Sequence, residues 1–230
     1  RPLEKSGKEQ NAFIAAASHE LRSPLTVIQT SLSAVSYADP EQTEHFISIS
    51  LDECKRMSRL IQDMLSLSRS DNHTWVLDCT SCEIDTLLLD VYEKYEQTAR
   101  HKKKQLLIEL PEDSLPVCFC DSLKISQALA ILIDNALAYV PEGGMIRLSA
   151  RQEAASVSLF VADNGPGIPD SEKEAVFQRF YRSDTSRNDK QHFGLGLCIA
   201  KEIALLHHGT LSVSDTPGGG ATFQLKLPVH

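Results

Sequence analysis

The sequence predicts an α+β protein: a two-helix hairpin that pairs with a second copy as a dimeric four-helix bundle, followed by an α/β sandwich domain with a mixed sheet. Apolar residues recur with helical spacing in the first 70 positions, whereas strand-like and helix-like segments alternate from about residue 75 onward. The polar residues 70–73 interrupt the helical pattern between the two regions. The boundary is therefore placed between a dimerisation domain, 1–70, and a mixed domain, 71–230.

Composition and charge indicate a folded protein and exclude some classes of partner. The chain has 230 residues, of which 42% are hydrophobic and 23% charged, which is enough apolar material for a folded core. Its formal net charge of -8 has the wrong sign for a surface that neutralises nucleic-acid phosphates, so we expect no nucleic-acid partner. The chain starts at Arg1 and has neither a signal-peptide pattern nor an apolar run long enough for a membrane span. We expect it to be part of a longer chain.

The hairpin is predicted from two helical patterns. From about residue 7 to 35, apolar and small side chains follow the four-then-three spacing of a coiled-coil seam, at Ile14, Ser18, Leu21, Leu25, Ile28, Leu32 and Val35. Asp39 followed by Pro40 is typical of a helix N-cap and first helical residue, so a second helix begins there and runs to about Ser70. Its apolar stripe is wider than one seam, and a lone hairpin would leave part of it in water. We therefore predict a homodimer.

The second domain is predicted to contain seven strands and three helices. The strands are expected near 75–79, 105–110, 116–120, 145–151, 156–162, 210–215 and 221–227, and the helices near 83–101, 122–139 and 195–207. The polar segment 169–192 is longer than most loops of compact domains, which indicates a functional role. We interpret it as a mobile lid.

The six cysteines are too few and too scattered for a disulfide-stapled scaffold, so we expect reduced thiols. Cys79 and Cys82, with Cys118 and Cys120, offer four zinc ligands in principle. The segment around Cys118 is predicted as a strand, however, and a strand points residues two apart to the same face rather than around a metal. We favour reduced thiols over structural zinc.

His19 is the first candidate for chemistry. It lies one position outside the predicted seam, where a solvent-facing imidazole can attack phosphorus. Glu20 is placed to orient the ring, and Ser23, one turn further on, can hold a water molecule. Pro24 removes a helical N–H, so we expect a bend close to His19. The alternative is a chance histidine on a solvated helix face.

The segment FIAAASHELRSPL, residues 13–25, resembles the phosphoacceptor box of bacterial two-component sensor histidine kinases. Five more segments resemble the family's asparagine, first glycine, phenylalanine, second glycine and terminal glycine motifs in the family's order, at 134–136, 163–168, 177–182, 194–197 and 218–223. The resemblance covers nearly all of the chain. It implies that ATP binds with Mg²⁺ in the second domain, that its γ-phosphoryl group passes to His19, and that His19 passes it to an aspartate of a response regulator.

The resemblance also assigns the nucleotide site. Asp163, at the end of an apolar strand, would accept the amino proton of adenine, and Asn135 would offer its carbonyl oxygen to Mg²⁺. The other nucleotide-binding residues implied are Tyr139, Gly165, Gly167, Ile168, Arg182, Arg187, Gly194, Leu195, Gly196, Leu197 and Thr222. Simpler roles stay open for some of them. A GxG before a helix also serves close packing, DNGPG is an ordinary turn sequence, and either arginine suits a plain surface position.

Several positions depart from the family. Ile131 stands where many members have Asn, and Ala138 where Lys or Arg commonly faces the phosphates. His192 and Phe193 replace a Gly and a small residue, which stiffens the loop. Ser23 replaces the commoner Thr or Asn but keeps a hydroxyl. The sequence thus predicts a working kinase with weak ATP affinity.

The favoured function is autophosphorylation of His19 and phosphotransfer, together with phosphatase activity toward the regulator. One alternative is a degenerate kinase that serves as a dimeric scaffold or as a phosphatase only. Another is an ATP-driven conformational machine of the wider superfamily, against which the His19–Glu20 pair argues, because such a machine needs no nucleophile. We expect a missing upstream region to anchor the full-length protein in the cell membrane, with this part in the cytoplasm.

Overall fold

The computed structural model describes residues 2–71, 74–183 and 193–229, with side chains in the first range described for 12–70. It begins with two long helices joined by a short turn, α1 (Pro2–Val35) and α2 (Pro40–Asp71). The Oδ1 of Asp39 accepts a hydrogen bond of 2.8 Å from the backbone N–H of Gln42. This contact satisfies one of the free donors at the helix start, and the predicted cap is confirmed.

The apolar residues of the hairpin divide between two faces. Ala17, Pro24 and Ser31, spaced seven residues apart, are buried within the hairpin. Of the predicted seam, Leu25 and Leu32 are 46% and 53% exposed in the single chain, so their burial in a dimer stays a prediction. One helix covers only a narrow strip of its neighbour, so the rest of the stripe faces outward. We call this outward surface the open apolar face; it comprises Ile14, Leu25, Leu32, Ile47, Leu51, Ile61 and Leu65.

The mixed α/β domain follows. Its elements are β1 (Thr80–Glu83), α3 (Ile84–His101), β2 (Gln105–Glu109), β3 (Val117–Cys120), α4 (Ser122–Tyr139), β4 (Met145–Glu153), β5 (Ser156–Asp163), α5 (Gly196–Leu206), β6 (Thr210–Asp215) and β7 (Ala221–Pro228). Five strands form one sheet in the order β2-β4-β5-β7-β6, in which β2 and β4 run parallel and the other neighbours antiparallel. The predicted mixed sheet is confirmed. β1 and β3 form a separate antiparallel pair.

The strand predicted at 75–79 is wrong, because the first strand begins at Thr80. Its partner β3 ends at Cys120, which pairs with Thr80. The next residue, Asp121, caps α4 by accepting the backbone N–H of Lys124 on Oδ1 at 3.0 Å. The ladder therefore cannot extend back to Cys79, because the chain opposite it has already turned into a helix.

The core of this domain lies between the sheet and α3, α4 and α5. Alternate residues of the three central strands point toward the helices and are almost completely buried: Ile146, Leu148, Val157, Leu159, Val161, Phe223, Leu225 and Leu227. The other face of the sheet carries polar pairs, such as the 2.9 Å hydrogen bond from Gln224 Nε2 to Ser158 Oγ. This alternation is what a sheet with one helix-covered face requires.

The two strands β1 and β3 bring cysteines together in the core. Cys82 lies opposite Cys118, and Cys120 points to the same side as Cys118, as the strand prediction requires. Burial raises the pKa of the Cys118 thiol to about 11, so it stays protonated at neutral pH. All six cysteines are free thiols. Within the described ranges, no three His, Cys, Asp or Glu side chains are grouped so as to hold a metal ion.

No helix in the described part of the chain combines the length and the apolar character that a membrane crossing requires.

Candidate active site

The phosphoacceptor candidate His19 lies on the exposed surface of α1. Glu20 beside it is half-buried, and Ser23, one turn further along, is exposed. Pro24 is buried and α1 continues through it to Val35. The imidazole of His19 is therefore reachable from solvent, with a hydroxyl and a carboxylate nearby on the same helix. The bend expected at Pro24 stays a prediction.

A cavity of about 570 Å³ opens between the second domain and α2. The end of β5, the second half of α4, the start of α5 and the segment after β5 form its walls. Of the predicted nucleotide-binding residues, nine line it: Asn135, Tyr139, Asp163, Gly167, Ile168, Arg182, Gly194, Gly196 and Leu197. The structure thus gathers residues from four separate motifs around one space.

Asp163 is the most constrained group in the cavity, with only 7% of its surface exposed. Its Oδ1 accepts backbone N–H groups from Gly165 at 2.8 Å and Ala221 at 3.2 Å. Burial raises the pKa of the Asp163 carboxyl above its ordinary value, and these two hydrogen bonds oppose that rise. One carboxylate oxygen is therefore committed to the backbone, which fixes the orientation of the other.

The terminal glycine motif supports Asp163 directly, a role that the sequence analysis missed. Gly220 has a φ of +108°, and a Cβ at this position would collide with the carbonyl oxygen of Asp163. Only glycine allows β7 to begin this close to the end of β5. The signal available in the sequence was the run of three glycines, but nothing local connects it to Asp163.

The wall formed by α4 presents Asn135 and Tyr139, one turn apart, to the cavity. It also presents Asp134, whose Oδ2 accepts a hydrogen bond of 3.0 Å from the Tyr95 hydroxyl. No local sequence pattern predicts this contact, because Tyr95 lies on α3. Asn135 and Asp134 place an amide oxygen and a carboxylate at the same wall, and hard cations prefer such oxygen ligands.

The second glycine motif packs tightly where α5 begins. Gly194 has a φ of +73°, and a Cβ there would lie 2.5 Å from the carbonyl oxygen of Tyr181. The backbone N–H of Phe180 donates to the carbonyl of Gly194 at 2.9 Å. Gly194 therefore has a close-packing role. The first turn of α5, which follows it, can also bind phosphate through its free N–H groups.

Three of the described residues predicted to bind nucleotide do not line the cavity. Gly165 supports Asp163 through its N–H, Leu195 is fully buried before α5, and the Thr222 hydroxyl pairs with that of Thr216 at 2.8 Å. Arg187 lies outside the described residues, as does the part 184–192 of the predicted lid, whereas 169–183 are described and include two short 3-10 turns, Asp170–Glu172 and Ala175–Phe177. The mobility of this lid stays a prediction.

Helix α2 forms a wall that the sequence did not reveal. Arg59, Gln62 and Asp63 line the cavity from this side, together with Phe193 just before the second glycine motif. Farther along α2, the Ser70 hydroxyl donates to Glu202 Oε2 on α5 at 2.8 Å. The hairpin and the second domain are thus in contact along α5. These contacts join residues far apart in the chain, so no local pattern predicts them.

Both domains match known family models. Residues 120–230 match the model described as histidine kinase-, DNA gyrase B- and HSP90-like ATPase, and residues 9–73 match the His Kinase A (phospho-acceptor) domain. The sensor histidine kinase WalK of Bacillus subtilis is 35% identical over 231 residues, which cover 98% of this chain and 38% of WalK. The chain therefore corresponds to less than half of that relative's length.

Solved structures show the same fold. The histidine kinase AdeS of Acinetobacter baumannii superposes with a TM-score of 0.74 at 25% identity, covering 92% of this chain and 98% of that one. The histidine kinase ThkA, solved in complex with the response regulator protein TrrA, superposes with a TM-score of 0.77 at 24% identity, covering all of this chain and 66% of that one. The arrangement of hairpin and mixed domain is thus shared with these proteins.

Proposed function

Because the chain belongs to the sensor histidine kinases, we propose that it is a protein-histidine kinase core that phosphorylates His19 from ATP and passes the phosphoryl group to an aspartate of a response regulator. The observation that carries this proposal is the presence, in one chain, of an exposed His19 on α1 and a cavity lined by the buried Asp163. Neither feature alone would distinguish a kinase from a nucleotide-binding or scaffolding protein.

Asp163 selects the base in this proposal. Its Oδ1 is held by the N–H groups of Gly165 and Ala221, which leaves Oδ2 to accept the amino proton of adenine. Guanine has no donor at that position. Gly167, Ile168 and Tyr139 line the cavity around the nucleotide, and the first turn of α5 after Gly194 offers free N–H groups to phosphate oxygens.

Mg²⁺ fits the wall formed by α4. Asn135 and Asp134 offer two hard oxygen ligands there, and the described residues form no closed metal cage. That combination suits an ion held by one or two protein oxygens and by substrate phosphates. When bound, Mg²⁺ neutralises charge on the transferring phosphoryl group.

The phosphoryl step needs little from the protein beyond positioning. A ring nitrogen of His19 forms a bond to the γ-phosphorus while the bond between that phosphorus and the bridging oxygen of ADP breaks. Glu20 takes the proton of the other ring nitrogen, and the phosphohistidine then gives its phosphoryl group to a regulator carboxylate. The contacts between α2 and α5 must open between these reactions, which assigns hinge motion to the junction near residue 71 of the proposed domains 1–70 and 71–230.

Two protein partners are proposed: a second copy of the chain and a response regulator. The open apolar face is the contact by which two hairpins form a homodimer, because it is too large to remain in water. The complex of ThkA with TrrA supports a response regulator as a partner. The regulator docks on the hairpin near His19 in this proposal, because the phosphoryl group must reach its aspartate. Ser23 holds a water molecule that hydrolyses the phosphorylated regulator. A membrane anchor upstream, with this part in the cytoplasm, completes the proposal.

Labelling with γ-labelled ATP tests the proposal. A phosphoryl group on imidazole nitrogen is lost in acid and kept in alkali, whereas a phosphoserine ester survives acid. We expect acid-labile label that disappears in His19→Gln, while ATP binding stays near that of the parent because His19 lies on α1 and does not line the cavity. The matched variant Ser23→Ala should still be labelled and should slow only dephosphorylation of the regulator. Acid-stable label, or label that persists in His19→Gln, would contradict the proposal.

A further inference from the structure

Helix α2 presents one polar stripe to the nucleotide cavity. Arg56, Arg59 and Asp63 are spaced three and four residues apart, so they lie on the same side of the helix. Arg59 and Asp63 line the cavity, and Arg56 packs on Phe193 at its edge. The hairpin therefore contributes a wall of the site and not only the phosphoacceptor.

Contacts on either side of Arg59 place it at one end of the cavity. The Arg56 guanidinium lies 4.5 Å from the centre of the Phe193 ring, directly before Gly194. One turn beyond Arg59, the Asp63 carboxylate is close enough to Cys198, in the first turn of α5, to act on the thiol's pKa. Arg59 thus lies level with the start of α5, where unpaired N–H groups favour phosphate rather than the base.

The cavity is acidic, and Arg59 is one of its few positive charges. Its described lining carries four acids, Asp63, Asp134, Asp163 and Glu172, against three bases, Arg59, Lys102 and Arg182. A triphosphate brought into an acidic cavity needs cations beyond a single Mg²⁺, and an arginine side chain binds phosphate oxygens in a bidentate manner.

We propose that Arg59 of α2 is a phosphate-binding residue of the ATP site, supplied by the hairpin. The inference rests on the proposed function and deepens it. It makes ATP binding and the docking of α2 on α5 mutually supportive, because the triphosphate contacts both.

Nucleotide titrations test Arg59 without depending on catalysis. Affinities for Mg-ATP and for adenosine are measured by calorimetry in a His19→Gln background, where no phosphoryl group leaves the nucleotide. Arg59→Ala should lower ATP affinity about tenfold and Arg59→Lys by less, because a lysine keeps the charge but loses the bidentate geometry. Adenosine, which has no phosphate, should bind all variants equally. Lys55→Ala is the matched control, since Lys55 lies on the same helix, is exposed and pairs with Asp52.

The possible results distinguish the proposed role of Arg59 from the proposed kinase function. Equal ATP affinity in Arg59→Ala and Lys55→Ala would overturn the role of Arg59 and leave the kinase intact. An equal loss of ATP and adenosine affinity would also overturn it, because Arg59 would then act through helix packing. A parent chain that binds no ATP would overturn the proposed function as well.

Discussion

The guanidinium of Arg56 lies over the ring of Phe193, 4.5 Å from its centre, and joins α2 to the residue that precedes the second glycine motif. Phe193 is 6% exposed, and the Arg56 Nε is buried without a hydrogen-bond partner among the described residues. Phe193 therefore has a structural role, because its ring supplies apolar surface on which Arg56 of the hairpin packs.

The pair should be energetically coupled. We expect the loss of stability in the double variant Arg56→Ala, Phe193→Ala to be about 1 kcal/mol smaller than the sum of the single losses, as for partly desolvated cation–π pairs. Urea unfolding of the whole chain measures this difference. Pairing Arg56→Ala with Trp75→Ala provides the control, because the Trp75 ring stacks with the ammonium of Lys124. Additive losses in both cycles would show that the stacking contributes nothing.

Asp63 should make stability depend on pH. Burial raises the pKa of Asp63 from its ordinary 3.8 to about 6, with Arg59 opposing part of that rise. The folded state therefore binds a proton more tightly than the unfolded state, and the stability this provides is complete below pH 3.8 and lost as pH rises through about 6. Asp63→Asn removes that loss and should stabilise the protein by about 1 to 2 kcal/mol above pH 6 once solvent screening is allowed for.

Urea unfolding of the parent and of Asp63→Asn between pH 4 and 8 measures the effect. The difference should shrink below pH 6. Asp52→Asn serves as the control, because Asp52 is exposed on the same helix and pairs with Lys55. A difference between parent and Asp63→Asn that stays constant across this range would show that the carboxyl is not desolvated.

Asp163→Asn should weaken ATP binding. The amide keeps an oxygen for the N–H groups of Gly165 and Ala221, but it turns an NH₂ group toward the amino group of adenine. We expect a loss on the order of 2 kcal/mol, measured by calorimetry. Asp90→Asn, an exposed change on α3, should have no effect. Unchanged ATP affinity in Asp163→Asn would assign recognition of the base to another residue.

The open apolar face should control the oligomeric state. Leu51 is 55% exposed there, and Leu51→Glu would place a charge where the proposed dimer buries apolar surface. We expect a shift from dimer to monomer at micromolar concentration in light scattering. Val76→Glu is the matched control, because Val76 is 86% exposed outside the hairpin. If both variants remain dimeric, the hairpins pair through some other surface.

The local elements were largely predictable from the sequence. The cap at Asp39, the bounds of α4 and the position of Asp163 at the end of β5 follow from side-chain periodicity and from polar residues at element ends. The strand predicted at 75–79 was wrong for a reason that is not local. Its pairing depends on the partner strand, which gives way to a helix cap at Asp121.

The sequence by itself determined the helical periodicity of the hairpin, the alternation of strands and helices after it, the exposed position of His19 and the order of the motifs. Each of these depends on residues a few positions apart. Only the tertiary structure decided which oxygen of Asp163 is held by Ala221, that Tyr95 reaches Asp134, and that Arg59 enters the cavity. These contacts join elements far apart in the chain. The packing of helices and strands decides which side chains meet. Periodicity shows which face of an element is buried, but not which other element packs on that face.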